Sequence, residues 1–338
     1  MAHRRGRPPS PSLCAPSAAL LRRRRLHILL LTLFSFLLLL AFLSSCSAVL
    51  RRANDFGRRC IPHRSDFSGL FTPDANRSMS IAMITFSEEG GGDGERRATR
   101  RRSFSGVMAA VGGNKRAYAA RMGYDFIDAR DLVDPSRPPS WSKVLAVRSQ
   151  LPSHDWVFWN DADTVVTNPD ISLEDILGAV IGQEASDISP DLVVTEDVNG
   201  INAGVFFVRR SKWSEKFLNA WWNQTSFVQF GSTKSGDNDA LKFLIRSQTS
   251  HDRRHHVRIS PMQCLFNSYP WYPSWKSVYQ LIFSPGAVWR GTYSRGDFMV
   301  HLAGIDDKKE WAARIIQELE YERRDYAYSA RPNSLYTP

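Results

Sequence analysis

Two carboxylates stand two residues apart where an aromatic run stops: Trp156-Val157-Phe158-Trp159-Asn160 leads into Asp161-Ala162-Asp163-Thr164. Acids so spaced at a chain reversal can face one cation, and their hard oxygens suit Mg²⁺ or Mn²⁺. Such an ion bridges phosphate oxygens and neutralises a departing diphosphate. A bare D-x-D also occurs in ordinary solvated turns. Here the apolar residues before it, and Thr164-Val165-Val166 rather than loop residues after it, favour a metal–nucleotide site. Open α/β sheets bind ligands at the carboxyl ends of their strands.

The elements that must position these acids follow from periodicity. Strands are predicted over 80–86, 124–127, 155–160, 192–195, 204–208 and 298–302. Helices are predicted over 104–122, with Gly123 as its C-cap, and over 141–149, 172–180, 212–222, 237–245 and 308–321. Strands alternating with helices predict an α/β domain with a largely parallel sheet, spanning 79–325 with a tail over 326–338. Residues 88–102 (EEGGGDGERRATRRR) are too polar and Gly-rich to pack a core and read as a loop.

The net charge of +10 suggests an anionic partner until it is divided along the chain. Nine arginines and no acid precede Asp55, which leaves 35 basic against 34 acidic residues in the rest. That near-neutral body argues against nucleic acid as a partner. Leu26–Leu43 reads LHILLLTLFSFLLLLAFL, long enough to cross a bilayer, with Arg22–Arg25 at its N-terminal edge. The positive-inside rule then predicts a single-pass type II protein: cytosolic tail 1–25, anchor 26–50, stem 51–78, and a lumenal domain beyond. A signal peptide cut near Cys46-Ser47-Ala48 is the alternative, although this apolar run is longer than most signal h-regions. On the lumenal side Asn76 and Asn223 each begin a glycosylation sequon, and a disulfide between Cys60 and Cys264 is open.

A series of segments then appears in order. Asn114-Lys115…Tyr118 with Gly123-Tyr124 comes first, followed by Trp141-Ser142-Lys143 and Trp159–Pro169 (WNDADTVVTNP). Ile201-Asn202-Ala203-Gly204 with Arg209 and Trp213, Asp237-Asn238-Asp239-Ala240-Leu241, Asn267-Ser268-Tyr269-Pro270 and Gly296-Asp297-Phe298…His301-Leu302-Ala303-Gly304 complete it. Together these resemble glycosyltransferase family 34, which holds fungal galactosyl- and mannosyltransferases and plant xyloglucan xylosyltransferases. Ile305 stands where many relatives carry Cys, Asn238 replaces the more usual Gln, and 88–102 looks like an insertion.

The resemblance implies a GT-A fold and a Golgi enzyme that moves a hexose or pentose from UDP-Gal, UDP-Xyl or GDP-Man to a glycan hydroxyl. It implies retention of anomeric configuration, with Asp161, Asp163 and His301 as metal ligands. No single carboxylate must be a nucleophile, so front-side transfer is expected, with the leaving diphosphate assisting deprotonation of the acceptor. Asp237 and Asn238 are expected to face donor and acceptor, while Asp239 either joins them or caps its helix. Asn202 either bonds donor-sugar hydroxyls or shapes a turn. Lys143 and Arg209 either pair with phosphates or brace loops, and Trp271, Tyr272, Trp275 and Trp289 either stack on an acceptor sugar or pack. A non-catalytic subunit of a Golgi glycan-synthesis complex, keeping the fold, is the competing expectation, and other glycosyltransferases are expected as complex partners of the enzyme.

Overall fold

The computed structural model describes residues 18–51, 60, 79–87, 104–181, 189–231, 234–260, 262–272 and 274–329. The sequon at Asn76, almost all of the stem and the 88–102 run fall outside this set. The first helix, α1 (Ala18–Arg51), is apolar enough over Arg22–Cys46 to cross a membrane.

Strands β1 (Ile81–Thr85), β2 (Asp125–Asp128), β3 (Trp156–Asn160), β5 (Leu192–Asp197), β6 (Gly200–Arg209) and β7 (Val257–Ser260) form one sheet in the order β2-β1-β3-β6-β5-β7. β4 (Thr164–Val166) and β8 (Met299–His301) pair antiparallel in a second, two-stranded sheet. The large sheet is largely parallel, as expected, with one reversed strand: β6 runs against both β3 and β5, while the other three pairings are parallel. The reason is local. β5 and β6 are joined by a tight reversal at Asp197–Gly200, where Gly200 takes φ +93°, so no helical crossover separates them.

Strands β1 and β3 read as unbroken apolar runs because both faces are covered. Alternate residues sort by the pleat. Ala82, Ile84, Val157, Trp159, Phe206 and Val208 pack with helices α3 (Ser142–Gln150), α5 (Lys212–Trp222) and α6 (Asp237–Ser247) on one face. Ile81, Met83, Trp156, Phe158, Val205 and Phe207 meet α4 (Leu173–Ile181) and Tyr118 of α2 (Val107–Met122) on the other. Gly123 ends α2 in the left-handed conformation, as its position predicts. Helices α7 (Ser250–His256), α8 (Trp275–Phe283) and α9 (Pro285–Gly291) are additional to the predicted set. α10 (Lys308–Ser329) runs eight residues past its predicted end at 321 and packs Ala312 against β4, β8 and α2.

Cys60 and Cys264 are disulfide-bonded, and both are buried among Phe266, Leu265 and the α4 face. The bridge spans 204 residues of sequence. Replacing Cys60 by Ser is expected to lower stability by about 2–4 kcal/mol. Urea unfolding under oxidising conditions measures this, and Mn²⁺ affinity should stay as in the wild type because the bridge touches none of the acids.

Candidate active site

The chain reverses directly after β3. Thr164 closes the turn, its backbone N–H and its hydroxyl both donating to the Asp161 carbonyl at 3.2 and 2.8 Å. This puts Asp161 and Asp163 on one side of the carboxyl edge. β4 then leads to β8, whose register sets Thr164 opposite His301. Ligand atoms of Asp161, Asp163 and His301 all lie within 4.8 Å of one another. Asp163 and His301 are buried, and Asp163 Oδ1 sits 3.3 Å from His301 Nε2. That oxygen is buried and accepts no hydrogen bond among the described residues, which is costly unless a cation meets it. Cys60, Cys264 and Asp297 also cluster, but the disulfide occupies both sulfurs.

A chain of amides fixes the histidine. Asn267 Nδ2 donates to Thr195 Oγ1 and Asn202 Oδ1, so its carbonyl faces His301 Nδ1 at 2.8 Å. His301 therefore donates from Nδ1, which leaves Nε2 as the ring atom facing Asp163 and the one available for a ligand role, the arrangement metal-binding histidines use. Asn202 is wholly committed within the protein. Its Nδ2 donates to Asp197 and Tyr269, and its Oδ1 accepts from Gly204 N–H and Asn267. It lies inside β6 rather than in a turn, and no arm of it is left for a sugar hydroxyl, so it positions Asn267 and Gly204. Tyr269 is half-buried and donates to Asp197 at 2.7 Å. Burial, and then the Asp197 charge, hold its phenol well above the ordinary value.

Register against β5 slips at Val194/Thr195, so Ala203–Val205 bulge out of the ladder beside the acids. Two side chains and one backbone N–H satisfy the bulge. Lys143 Nζ donates to Ala203 O, Asn238 Oδ1 accepts from Ala203 N–H, and Gly204 O accepts from Asp161 N–H. Lys143 is buried and bridges two acids, 3.1 Å from Asp161 and 3.0 Å from Asp237. Burial alone would lower its pKa, but the two carboxylates outweigh that and hold it above the usual lysine value. Asp237 also takes hydroxyls of Ser140 and Ser235. Its burial favours the neutral acid, yet Lys143 and Ser235 hold its pKa below the ordinary one. Asp239 is half exposed and pairs with Lys242 at 3.5 Å on the helix surface.

A model of the galactosyl transferase GMA12/MNN10 family, glycosyltransferase family 34, matches residues 77–180 and 181–312. The chain belongs to this family. It is 27% identical to a probable alpha-1,6-mannosyltransferase, MNN10, of Saccharomyces cerevisiae, a match covering 51% of this chain and 50% of that protein. It is 33% identical to a probable glycosyltransferase of Oryza sativa subsp. japonica over 32% of this chain and 23% of the other. An uncharacterized alpha-1,2-galactosyltransferase of Schizosaccharomyces pombe is 24% identical over 68% and 72%. The match thus spans half or less of the first two relatives. Among solved structures, the glycosyltransferase that acts in glycosylation of the major capsid of PBCV-1 aligns with TM-score 0.45 and 13% identity, over 70% of this chain and 99% of that one.

Of the residues this family resemblance singled out, Asp161, Asp163, His301, Lys143, Asn202, Asp237 and Asn238 gather around the end of β3. Arg209 does not. It sits at the opposite end of β6, paired in register with Trp156, and binds Asp191 at 2.7 Å and the Ser189 and Pro190 carbonyls. Four residues of strand, about 13 Å, separate it from Val205 beside the acids, so it braces the start of β5. Trp271 is buried, whereas Trp275 is 83% exposed. Trp289 keeps part of its surface, and Tyr272 leans on Trp311. Asn223 ends α5 and is exposed.

The sequence assigns no role to two lysines of this site, although Lys115 stands in one of the family segments. Lys308, the first residue of α10, is buried, pairs with Asp163 Oδ2 at 2.5 Å and donates to Leu302 O. A cation at a helix N-terminus opposes the helix dipole, and Asp163 offsets this. Burial raises the Asp163 pKa, but His301 and Lys308 outweigh it and hold the carboxyl well below the usual range. Lys115 of α2 is fully buried and makes no direct ion pair among the described residues; burial lowers it to about 7 against the pull of Asp163, Asp161 and Asp128.

Proposed function

We propose that the chain is a retaining, divalent-metal-dependent glycosyltransferase, anchored in the Golgi membrane as a type II protein. It moves a hexose or pentose from a nucleotide-diphosphate sugar to a glycan hydroxyl and forms an α-linkage. The observation that carries this reading is the Asp161–Asp163–His301 cluster at a strand's carboxyl edge, with Asp163 and His301 buried and one Asp163 carboxylate oxygen unbonded among the described residues. Membership of glycosyltransferase family 34 supports the transfer.

A bound Mn²⁺ or Mg²⁺ would supply charge neutralisation for the leaving diphosphate, held by Asp161, Asp163 and His301. The protein's own residues do the rest. Lys308 and Lys143, each paired to one of the two acids, add positive charge where phosphate oxygens gather. Asp237 is buried and ionised with both oxygens occupied, which suits it to fixing Lys143 and ill suits it to attacking an anomeric carbon. That favours front-side transfer, in which the departing phosphate takes the acceptor's proton.

Incubating the purified chain with Mn²⁺ and each of UDP-Gal, UDP-Xyl and GDP-Man, with NMR of the product, tests the reading. One donor is expected to be turned over, with an α-linked product. A β-linked product rules out retention. No turnover of any donor, with Mn²⁺ bound, leaves the non-catalytic subunit as the better account.

A further inference from the structure

Helix α2 carries the Asn114-Lys115-x-x-Tyr118 element, and the side chains of these three residues bond the chain segment that bears the acids. Asn114 pairs with both backbone groups of Val166, its Nδ2 donating to the carbonyl and its Oδ1 accepting the N–H, each at 2.9 Å. A strand-like pairing is thus completed on β4 by a side chain. Lys115 Nζ donates to the Asp161 carbonyl at 2.9 Å, to the Ala162 carbonyl at 3.4 Å and to Thr85 Oγ1 at 3.2 Å. Tyr118 OH donates to Ile171 O farther along, at 2.8 Å. One face of α2 therefore grips residues 161–171 at three points.

The points nearest the acids bear most on the site. A turn that offers two carboxylates to one cation must resist their mutual repulsion, and their separation depends on the peptide planes at 161–162. Thr164 fixes the Asp161 carbonyl from one side and Lys115 from the other, while Thr85 ties the ammonium to β1. Asn114 holds β4, whose register with β8 delivers His301. We propose that Asn114 and Lys115 are positioning residues for the cation site: they hold the Asp161–Asp163 turn and β4 at the spacing that lets three ligands meet one ion. The inference rests on reading Asp161, Asp163 and His301 as a cation site.

Mn²⁺ titrated calorimetrically into the full chain in detergent, with thermal unfolding alongside, tests it. Lys115→Met is expected to weaken Mn²⁺ binding about tenfold or more, in the range that residues orienting metal ligands carry, and Asn114→Ala several-fold. Tyr118→Phe breaks only the distal grip. It should lower thermal stability while leaving Mn²⁺ affinity within about twofold, so that lost stability alone does not mimic the effect. If Lys115→Met fails to fold, Asn114→Ala against Tyr118→Phe decides the matter. A wild type that binds no Mn²⁺ removes the cation reading and this inference with it. A wild type that binds, with Lys115→Met and Asn114→Ala binding equally well, overturns the inference alone.

Discussion

Asp163→Asn is expected to reduce sugar transfer by about 10³-fold, the scale on which enzymes lose rate when a group stabilising developing charge is removed. The same substitution should also destabilise the protein, for a separable reason. Asp163 is buried between His301 and Lys308, and its charge is the direct counterion that Lys308 has among the described residues. Breaking a buried pair leaves an uncompensated charge and costs about 3–5 kcal/mol. Lys308→Met on the Asp163→Asn background removes that stranded ammonium, so the double variant should recover much of the lost stability and none of the activity. The pH dependence follows from the depressed carboxyl of the wild type. Its native pKa lies below the unfolded value near 3.9, so its contribution is in place above that value and fades as pH falls through the native one. The stability gap between wild type and Asp163→Asn should therefore narrow in acid. Urea unfolding between neutral and acid pH measures the gap, and a transfer assay measures the rate. Full activity in Asp163→Asn would end the assignment of this acid to the reaction.

What the sequence discloses here depends on how local the cause is. Asp161 and Asp163 are legible because four apolar residues and then Asn160 lead straight into them, and both facts lie within nine residues. Helix α5 is legible to the residue because Ser211 caps it and the apolar period is clean. The reversal of β6 depends on a four-residue turn whose Gly200 shows only its conformation, not the strand direction it imposes. Lys308 follows a stretch that reads as a surface helix start, and nothing nearby shows that Asp163, 145 residues earlier, lies beneath it. Lys115 is hidden in the same way, since a lysine on a helix reads as solvent-facing until the turn after β3 closes over it. Asn202 is found by its place in a family block, yet its role changes once Asp197, Tyr269 and Asn267 occupy every arm. Arg209 shares that block and fails for geometric reasons. Seven residues along a strand separate two ends of a sheet.

The bulge that turns β6 toward the acids also sets its tightest constraint. A methyl group at Gly204 would stand 2.4 Å from His301 Cε1, 2.9 Å from Asn202 Oδ1 and 3.1 Å from His301 Nδ1. The backbone there needs no left-handed conformation, so the demand is purely one of space. The ring cannot simply withdraw. Its Nδ1 is bonded to Asn267, and that amide is bonded in turn to Thr195 and Asn202, with His301, Asn267 and Thr195 all buried. Gly204→Ala is therefore expected to push His301 Nε2 off its line to Asp163 and to cut Mn²⁺ affinity by about 10–100-fold, with transfer at limiting Mn²⁺ falling in step. Overpacking a buried site costs about 1–3 kcal/mol, partly offset by the lower chain entropy of Ala in the unfolded state. The protein should stay folded while its cation site fails. A double-mutant cycle isolates the cause. On a His301→Ala background, which removes the two His301 contacts and leaves the one to Asn202 Oδ1, Gly204→Ala should weaken Mn²⁺ binding far less than it does in the wild type. If instead the two losses simply multiply, the glycine is not there to make room for the histidine.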